Sequence, residues 1–234
     1  MSDFRLRLAS ASAKDQLRLI DELAAAGREG FDPLQAFLLE QRDAGSIAEH
    51  SGNGIDLPMG KAYQVLFAAN SPETIAFLQT HFPQGIVPLK SDRNIDYAPL
   101  QQLLAQQEFE EADRLTLQKM CELAGSAATQ RKWLYFTEVE NFPSNDLRTI
   151  DALWRLHSEG RFGFSVQREI WLSTGKNWDL VWDKIGWRQG NTWTRYPQEF
   201  TWNLTAPRGH LPLSNQLRGV RVIAALMAHP AWTS

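Results

Sequence analysis

Three polar side chains recur at intervals of three in the segment SNQLRGVRV: Asn215, Arg218 and Arg221. Residues three apart are neighbours on a helical surface, so these side chains would share one flank of a helix. Two guanidinium groups near the start of a helix suit a carboxylate ligand, because the helix dipole adds partial positive charge there. The neighbouring flank would carry an apolar, core-facing stripe of Leu217, Val220, Ile223 and Met227.

The segment before that helix, NTWTRYPQEFTWNLTAPRGHLP, occupies residues 191–212. It holds two tryptophans, a tyrosine, a phenylalanine and two arginines, and its three prolines forbid a continuous helix. The sequence therefore predicts an irregular aromatic loop beside the arginines, which would suit a flat, mostly apolar ligand with one anionic edge. The plainer alternative is a solvated polar face beside a packed tryptophan core, and spacing alone favours that alternative.

The sequence offers no recognisable catalytic set. It has no glycine-rich phosphate loop, no nucleophile elbow and no pair of histidines at metal-ligand spacing. The five histidines are scattered and are best explained as surface or capping residues. Cys121 lies on an apolar face and is better explained as a buried small hydrophobe than as a nucleophile. The carboxylates of Glu138 and Glu140 are too ordinary for an acid–base pair, so we expect a binding protein without a catalytic cofactor or a metal.

Charge is unevenly distributed along the 234 residues, whose formal net charge is -3. Residues 161–234 hold nine Lys/Arg against four Asp/Glu and seven of the nine tryptophans, while residues 1–160 are acidic. The overall charge argues against bulk nucleic-acid binding. A single cysteine suits a reducing compartment, and no stretch approaches the ~20 apolar residues of a membrane span. We expect a cytoplasmic protein with at most peripheral membrane association.

Hydrophobic periodicity and turn signals predict an all-α fold in two domains. Residues 1–82 are predicted to form a small helical bundle. The connector FPQGIVPLKSDRNID follows, and its prolines and glycine place the domain boundary between residues 82 and 83. Residues 83–234 are predicted to form a helical core with long irregular loops.

Capping signals predict where individual helices begin. Asp32-Pro33 and Ser71-Pro72 each pair a capping side chain with a proline at the first helical position. Asp113, together with two nearby glutamates, falls in the first turns of a predicted helix, where the helix dipole favours carboxylates.

Four stretches of the sequence resemble one known family. They are FEEADRLTLQKMCELAG, QRKWLYFTEVENFP, LWRLHSEGRFGFSVQ, and WTRYPQEFTWNLTAPRGHLP followed by NQLRGVRV. Together they are similar to the Genomes Uncoupled tetrapyrrole-binding family, the porphyrin-binding regulators of magnesium chelatase in chlorophyll synthesis. The similarity covers residues 85–234 nearly without gaps, and the preceding residues resemble the helical extension of cyanobacterial members.

The resemblance implies a helical core shaped like a cupped hand, whose concave apolar face takes protoporphyrin IX and Mg-protoporphyrin IX. Phe136 and Val139 would line that face. Trp193 and Tyr196 would offer ring surface from a mobile loop, although family members often have tryptophan where this chain has Tyr196. The propionates and the ring edge would be met by Asn215, Arg218 and Arg221.

The resemblance also implies a function. The protein would stimulate magnesium chelatase through the large porphyrin-binding H subunit of that enzyme, acting as a monomer, without a nucleic-acid partner and without catalysis of its own. The alternative from another class is a helical protein-interaction adaptor without a tetrapyrrole ligand, which would leave a porphyrin spectrum unchanged.

Overall fold

A computed structural model describes these parts of the chain: residues 7, 8, 10–45, 56–213 and 220–233. It falls into two compact units that divide between Pro88 and Leu89. The domain boundary predicted between residues 82 and 83 stays a prediction, which fragments of the chain can test.

The N-terminal unit is a small assembly of helices: α1 (Ala13–Ala25), α2 (Arg28–Asp43), α3 (Leu57–Ala69) and α4 (Pro72–His81). Helix α3 packs against each of the other three. Completely buried aliphatic side chains from α1, α2 and α3 form the core, among them Ile20, Leu34, Leu38 and Leu66.

One of the two predicted helix starts is confirmed. The backbone N–H of Thr74 donates to Ser71 Oγ at 3.2 Å, and the N–H of Ser71 donates to Thr74 Oγ1 at 3.1 Å, so α4 begins with a capping box. The start predicted at Asp32-Pro33 is wrong, because α2 begins at Arg28 and holds Pro33 in its interior. The helix follows Gly27, which has φ +61° and no capping side chain. In its first turn, a Cβ on Gly30 would lie 2.0 Å from the carbonyl oxygen of Leu23, so only glycine fits there.

The C-terminal unit contains longer and shorter helices joined by loops. They are α5 (Ala98–Ala105), α6 (Phe109–Ala124), α7 (Ser126–Arg131), α8 (Phe136–Val139), α9 (Ser144–Leu156), α10 (Phe164–Ser173), α11 (Trp178–Lys184), α12 (Arg221–Ala228) and a 3-10 turn at Pro230–Trp232. Helix α10 packs against α9, α11 and α12, and α8 packs against α12. Within the described ranges, no helix has the length and apolar character needed to cross a membrane.

An aromatic cluster forms the centre of this unit. The rings of Phe109 and Trp154 stack with centroids 6.0 Å apart, and Phe162 meets Phe109 edge-on at 5.5 Å. The buried indole N–H of Trp154 donates to Thr116 Oγ1 at 2.9 Å, so its burial leaves no donor unpaired. The cluster joins α6, α9 and the loop before α10.

Two short strands, β1 (Arg188–Gln189) and β2 (Thr192–Trp193), form an antiparallel hairpin that the sequence did not predict. Arg188 lies opposite Trp193, and the turn contains Gly190 at φ +59°, a conformation that glycine adopts readily. The rest of the regular structure in the described residues is helical, so the all-α prediction is confirmed.

The last helix begins later than the predicted apolar stripe requires. Helix α12 starts at Arg221, and Val220 precedes it with 40% of its surface exposed. The placement of Val220 on the buried stripe is therefore wrong, because the helical periodicity does not reach it. Ile223 and Met227 are buried as predicted, and Leu217 lies outside the described residues.

We expect a fragment of residues 85–234 to fold without the N-terminal unit, because its aromatic core is complete within that segment. Far-ultraviolet circular dichroism should show helix, and melting should follow a single cooperative transition. A fragment that melts without cooperativity, or that gains helix only when residues 1–84 are added, would contradict the predicted boundary.

Candidate ligand-binding site

Helices α8 and α12 bring two of the predicted site residues together. The guanidinium carbon of Arg221 lies 5.6 Å from the ring centroid of Phe136, within the range of a cation–π contact. Phe136 opens α8 and is partly buried, while the exposed Arg221 is the first residue of α12. An aromatic ring and a cation at a helix start can therefore meet the apolar face and the anionic edge of one ligand.

Three other predicted site residues are either buried or outside the described residues. Val139, the last residue of α8, is completely buried, so it packs in the core and offers no surface in this structure. Asn215 and Arg218 lie outside the described residues. The predicted ligand contacts of all three stay predictions.

The aromatic loop has a small core of its own. The ring of Tyr196 meets Phe200 edge-on at 5.7 Å and Trp202 edge-on at 5.8 Å. The indole N–H of Trp202 donates to the carbonyl oxygen of Pro197 at 3.0 Å. These contacts hold Tyr196 half-buried, whereas Trp193 is 44% exposed and can offer its ring to a ligand.

A stack of tryptophans supports the hairpin that carries Trp193. Neighbouring rings in the series Trp171, Trp178, Trp182 and Trp187 are nearly parallel, with centroid distances of 5.6, 5.0 and 5.5 Å. The ring of Trp193 leans on Trp182 at 5.8 Å, tilted by 56°. A packed tryptophan core therefore accounts for the stack, and Trp193 projects beyond it.

Asp113 fixes both ends of the aromatic loop to α6. Its carboxylate accepts the backbone N–H of Leu213 at 2.6 Å and a hydrogen bond from the hydroxyl of Tyr196. Burial raises the pKa of Asp113 to about 7, although both hydrogen bonds act to lower it. Burial, followed by the negative charge of Asp113, raises the pKa of Tyr196 to about 12, so its hydroxyl stays a donor.

Sequence reasoning missed this role of Asp113. It explained the carboxylate only by the helix dipole, whereas the side chain is 3% exposed and its partner Leu213 is 100 residues further along the chain. No local pattern marks so distant a partner. The only sequence signal for a buried Asp113 is its position among the apolar residues of a predicted helix.

His210 fixes the same loop from inside. Its Nε2 accepts the backbone N–H of Thr201 at 3.2 Å, so Nδ1 carries the proton and donates to the carbonyl oxygen of Ile185 at 2.7 Å. Its own carbonyl accepts the indole N–H of Trp187 at 2.8 Å. Burial lowers the pKa of His210 and favours the neutral ring that this arrangement needs. The prediction of a surface or capping role is wrong for this histidine.

The remaining candidate groups are the Cys121 thiol and the side chains that could bind a metal. Cys121 is buried as predicted, and its pKa is raised to about 11, chiefly by burial, so the thiol stays protonated. Across the described residues, no group of three or more His, Cys, Asp or Glu side chains could hold a metal ion. What the described site residues provide is ring surface, the exposed Arg221 guanidinium and a loop that Asp113 connects to α6.

This fold and site define a helical protein with an aromatic loop and with a cationic helix start that contacts an aromatic ring. Residues 90–230 match the model of the GUN4-like family, and residues 1–83 match the ARM-like repeat domain described as GUN4-N terminal. The chain belongs to the GUN4-like family.

Relatives and a solved structure agree with this assignment. The Ycf53-like protein of Synechocystis sp. is 50% identical over 233 residues, which are 100% of this chain and 97% of that protein. The chloroplastic tetrapyrrole-binding protein of Arabidopsis thaliana is 38% identical over 58% of this chain and 54% of its own length. The structure of GUN4 from Chlamydomonas reinhardtii superimposes with a TM-score of 0.59 at 44% identity, over 62% of this chain and 95% of that one.

We expect Asp113→Asn to remove a pH dependence of stability. Because folding raises the pKa of Asp113 from 3.8 to about 7, the folded state binds the proton more tightly than the unfolded state. This group therefore favours folding most at low pH, and its contribution declines as the pH rises towards 7. Urea unfolding of both proteins from pH 5 to pH 8 should show the variant gaining stability relative to the wild type as the pH rises.

A stability difference that stays constant from pH 5 to pH 8 would contradict this account of Asp113. If the hydrogen bonds from Tyr196 and Leu213 outweighed burial, the pKa of the folded state would lie below 3.8, and Asp113 would be ionised in both the folded and the unfolded state throughout this range. Fluorescence of the tryptophan stack gives a native-state check, because its packing should be the same in both proteins.

Proposed function

We propose that the protein binds protoporphyrin IX and Mg-protoporphyrin IX through its C-terminal unit. The observation that carries the proposal is the contact of Phe136 with Arg221 in a chain of the GUN4-like family. A porphyrin of this type is a flat apolar ring with two carboxylates on one edge, so it needs aromatic surface beside a cation. The name of the Arabidopsis relative supports the same class of ligand.

Apolar surface and charge would contribute differently to the proposed affinity. A large aromatic side chain buries ~150–250 Å², and apolar burial contributes ~25 cal/mol per Å², so several rings around a macrocycle supply most of the affinity. A hydrogen bond to a charged group adds ~1.5–3 kcal/mol and is weakened by salt where it is exposed. Phe136 and Trp193 would hold the macrocycle, and the arginines would orient its propionates.

The loop residues would take different parts in this site. Trp193 would present an open ring face, since almost half of its surface is accessible. Tyr196 would present only ring surface, because its hydroxyl is bonded to Asp113. Asn215, Arg218 and Arg221 would meet the propionates and the ring edge.

We further propose a regulatory role for the bound state. Family membership supports stimulation of magnesium chelatase through its large porphyrin-binding H subunit. The protein would act as a cytoplasmic monomer with at most peripheral membrane association. The chelatase itself would catalyse the insertion of Mg²⁺ into the porphyrin. A helical adaptor without a tetrapyrrole ligand is the competing proposal.

Titration with Mg-protoporphyrin IX is the direct test of binding. We expect a red-shifted Soret band and quenched tryptophan fluorescence, both saturating at about one porphyrin per chain. The fragment of residues 85–234 should give the same end point. An unchanged porphyrin spectrum with the folded protein would favour the adaptor.

Replacing Arg218 and Arg221 together with Glu should weaken binding without unfolding the protein. The new carboxylates would repel the propionates, and affinity should fall by one to a few orders of magnitude, at ~1.5–3 kcal/mol per lost charge-assisted bond. Melting should change little, because Arg221 is exposed and substitutions at exposed positions usually alter stability by no more than ~0.5 kcal/mol. Porphyrin titration and melting are measured on the same sample.

A matched control separates local charge from net charge. Arg18 and Arg28 are exposed arginines of the N-terminal unit, and replacing both with Glu makes the same change in net charge. That control should bind porphyrin like the wild type. Equal loss in both double variants would mean that net charge alone lowers affinity.

Added to magnesium chelatase at limiting Mg²⁺ and porphyrin, the protein should raise the rate of Mg insertion. The Arg218→Glu, Arg221→Glu double variant should stimulate far less, because its porphyrin site is impaired. Equal rates with and without the wild-type protein across those limiting conditions would contradict the regulatory proposal.

A further inference from the structure

Helix α8 is too short to be stable without contacts to the rest of the fold. It spans four residues, Phe136–Val139, a single turn. Isolated helices shorter than ~12–15 residues are marginal in water, so a single turn depends on contacts with the rest of the fold. The position of the Phe136 ring is therefore set by whatever fixes the two ends of α8.

The first end of α8 is fixed by a guanidinium group enclosed by aromatic rings. The guanidinium carbon of Arg131 lies 4.9 Å from the ring centroid of Trp133 and 4.5 Å from that of Tyr135. The two rings meet edge-on at 4.5 Å. Both lie in the short link between Arg131, where α7 ends, and Phe136, so these contacts fold the link onto Arg131.

Glu138 connects this cluster to the helix itself. Nη2 of Arg131 donates to both carboxylate oxygens of Glu138 at 2.8 Å. The same carboxylate accepts the backbone N–H of Tyr135 at 2.8 Å, at the position just before α8. The side chains of Arg131 and Glu138 are 24% and 22% exposed, so this pair is better shielded from salt than an ion pair on the open surface.

Two further contacts complete the hold on α8. Nη2 of Arg93 donates to the carbonyl oxygen of Asn141 at 2.8 Å, two residues beyond the helix. Helix α12 packs along α8 and brings Arg221 to the Phe136 ring. With the far end and one side secured, the Arg131–Glu138 pair is what fixes the end at which Phe136 lies.

We propose that Arg131 is a positioning residue for tetrapyrrole binding, which acts through Glu138 and α8 to hold the Phe136 ring against Arg221. This inference rests on the proposed function and extends it. Arg131 bonds Glu138 and is covered by two rings, so it contributes through the geometry of α8 and not through a bond to the ligand. Its removal should loosen α8 and weaken porphyrin binding only as far as Phe136 contributes to that binding.

The test combines porphyrin affinity with amide hydrogen exchange of the ligand-free full chain. Arg131→Met keeps much of the side-chain volume and removes the charge, and Glu138→Gln removes the charge of the partner. Each should speed exchange of the amides in residues 135–142 and lower the affinity for Mg-protoporphyrin IX about tenfold, within the range of coupling energies between contacting residues. Arg131→Lys, which retains a donor for Glu138, should restore part of both losses.

A double-mutant cycle with Phe136→Ala tests the route of the effect. If Arg131 acts through Phe136, Arg131→Met should cost little further affinity once the ring is gone. Additive losses would mean that Arg131 acts independently of Phe136 and would overturn the positioning role. Unchanged exchange and affinity in Arg131→Met would also overturn it.

The control is a second partly buried ion pair of the C-terminal unit. Lys119 donates to Glu122 at 2.9 Å within α6, and Lys119→Met should leave both exchange in α8 and porphyrin affinity unchanged. A wild-type protein that binds no porphyrin would overturn the proposed function and with it the ligand role of Arg131. In that case faster amide exchange of α8 in Arg131→Met would still show that Arg131 stabilises this helix. Failure of the proposed porphyrin binding and failure of the proposed role of Arg131 are therefore distinguishable.

Discussion

The packing of α8 against α12 is the interaction on which the proposed site depends. A single helical turn has too few internal hydrogen bonds to be stable alone, so α8 exists because other elements hold it. That constraint puts an aromatic ring beside the first residue of α12, where the helix dipole and the Arg221 guanidinium both favour an anion. Apolar surface and positive charge meet because two helices are packed, and not because they are neighbours in sequence.

The aromatic loop follows the same rule with different groups. Its regular structure amounts to the two-residue strand Thr192–Trp193, so its shape comes from hydrogen bonds to the core. Asp113 and His210 provide these hydrogen bonds, and both side chains are buried. Burial raises the pKa of Asp113 and lowers that of His210, so it favours the uncharged form of each. The loop is thereby fixed at its ends and centre while Trp193 stays exposed, an arrangement that suits a ring surface offered to a ligand.

The sequence was informative wherever structure is decided locally. Ser71-Pro72 predicted a helix start because the cap and its partner lie within one turn, and the apolar periodicity predicted the all-α class. Asp32-Pro33 misled because the helix begins earlier, at Arg28, after Gly27, which has no side chain to mark the start. The contact of Asp113 with Leu213 joins residues 100 positions apart, and no local pattern can indicate such a pair. Spacing singled out Asn215, Arg218 and Arg221 but favoured a solvated face, and the resemblance to a family supplied the ligand and the other site residues.

Amide hydrogen exchange of the full chain with and without Mg-protoporphyrin IX tests the central claim most directly. If the macrocycle lies between α8, the aromatic loop and the start of α12, added ligand should slow exchange in residues 135–142, in 191–203 and at the beginning of α12. Residues 1–88 should exchange at unchanged rates. Protection confined to the N-terminal unit, or no protection at saturating ligand, would contradict the account.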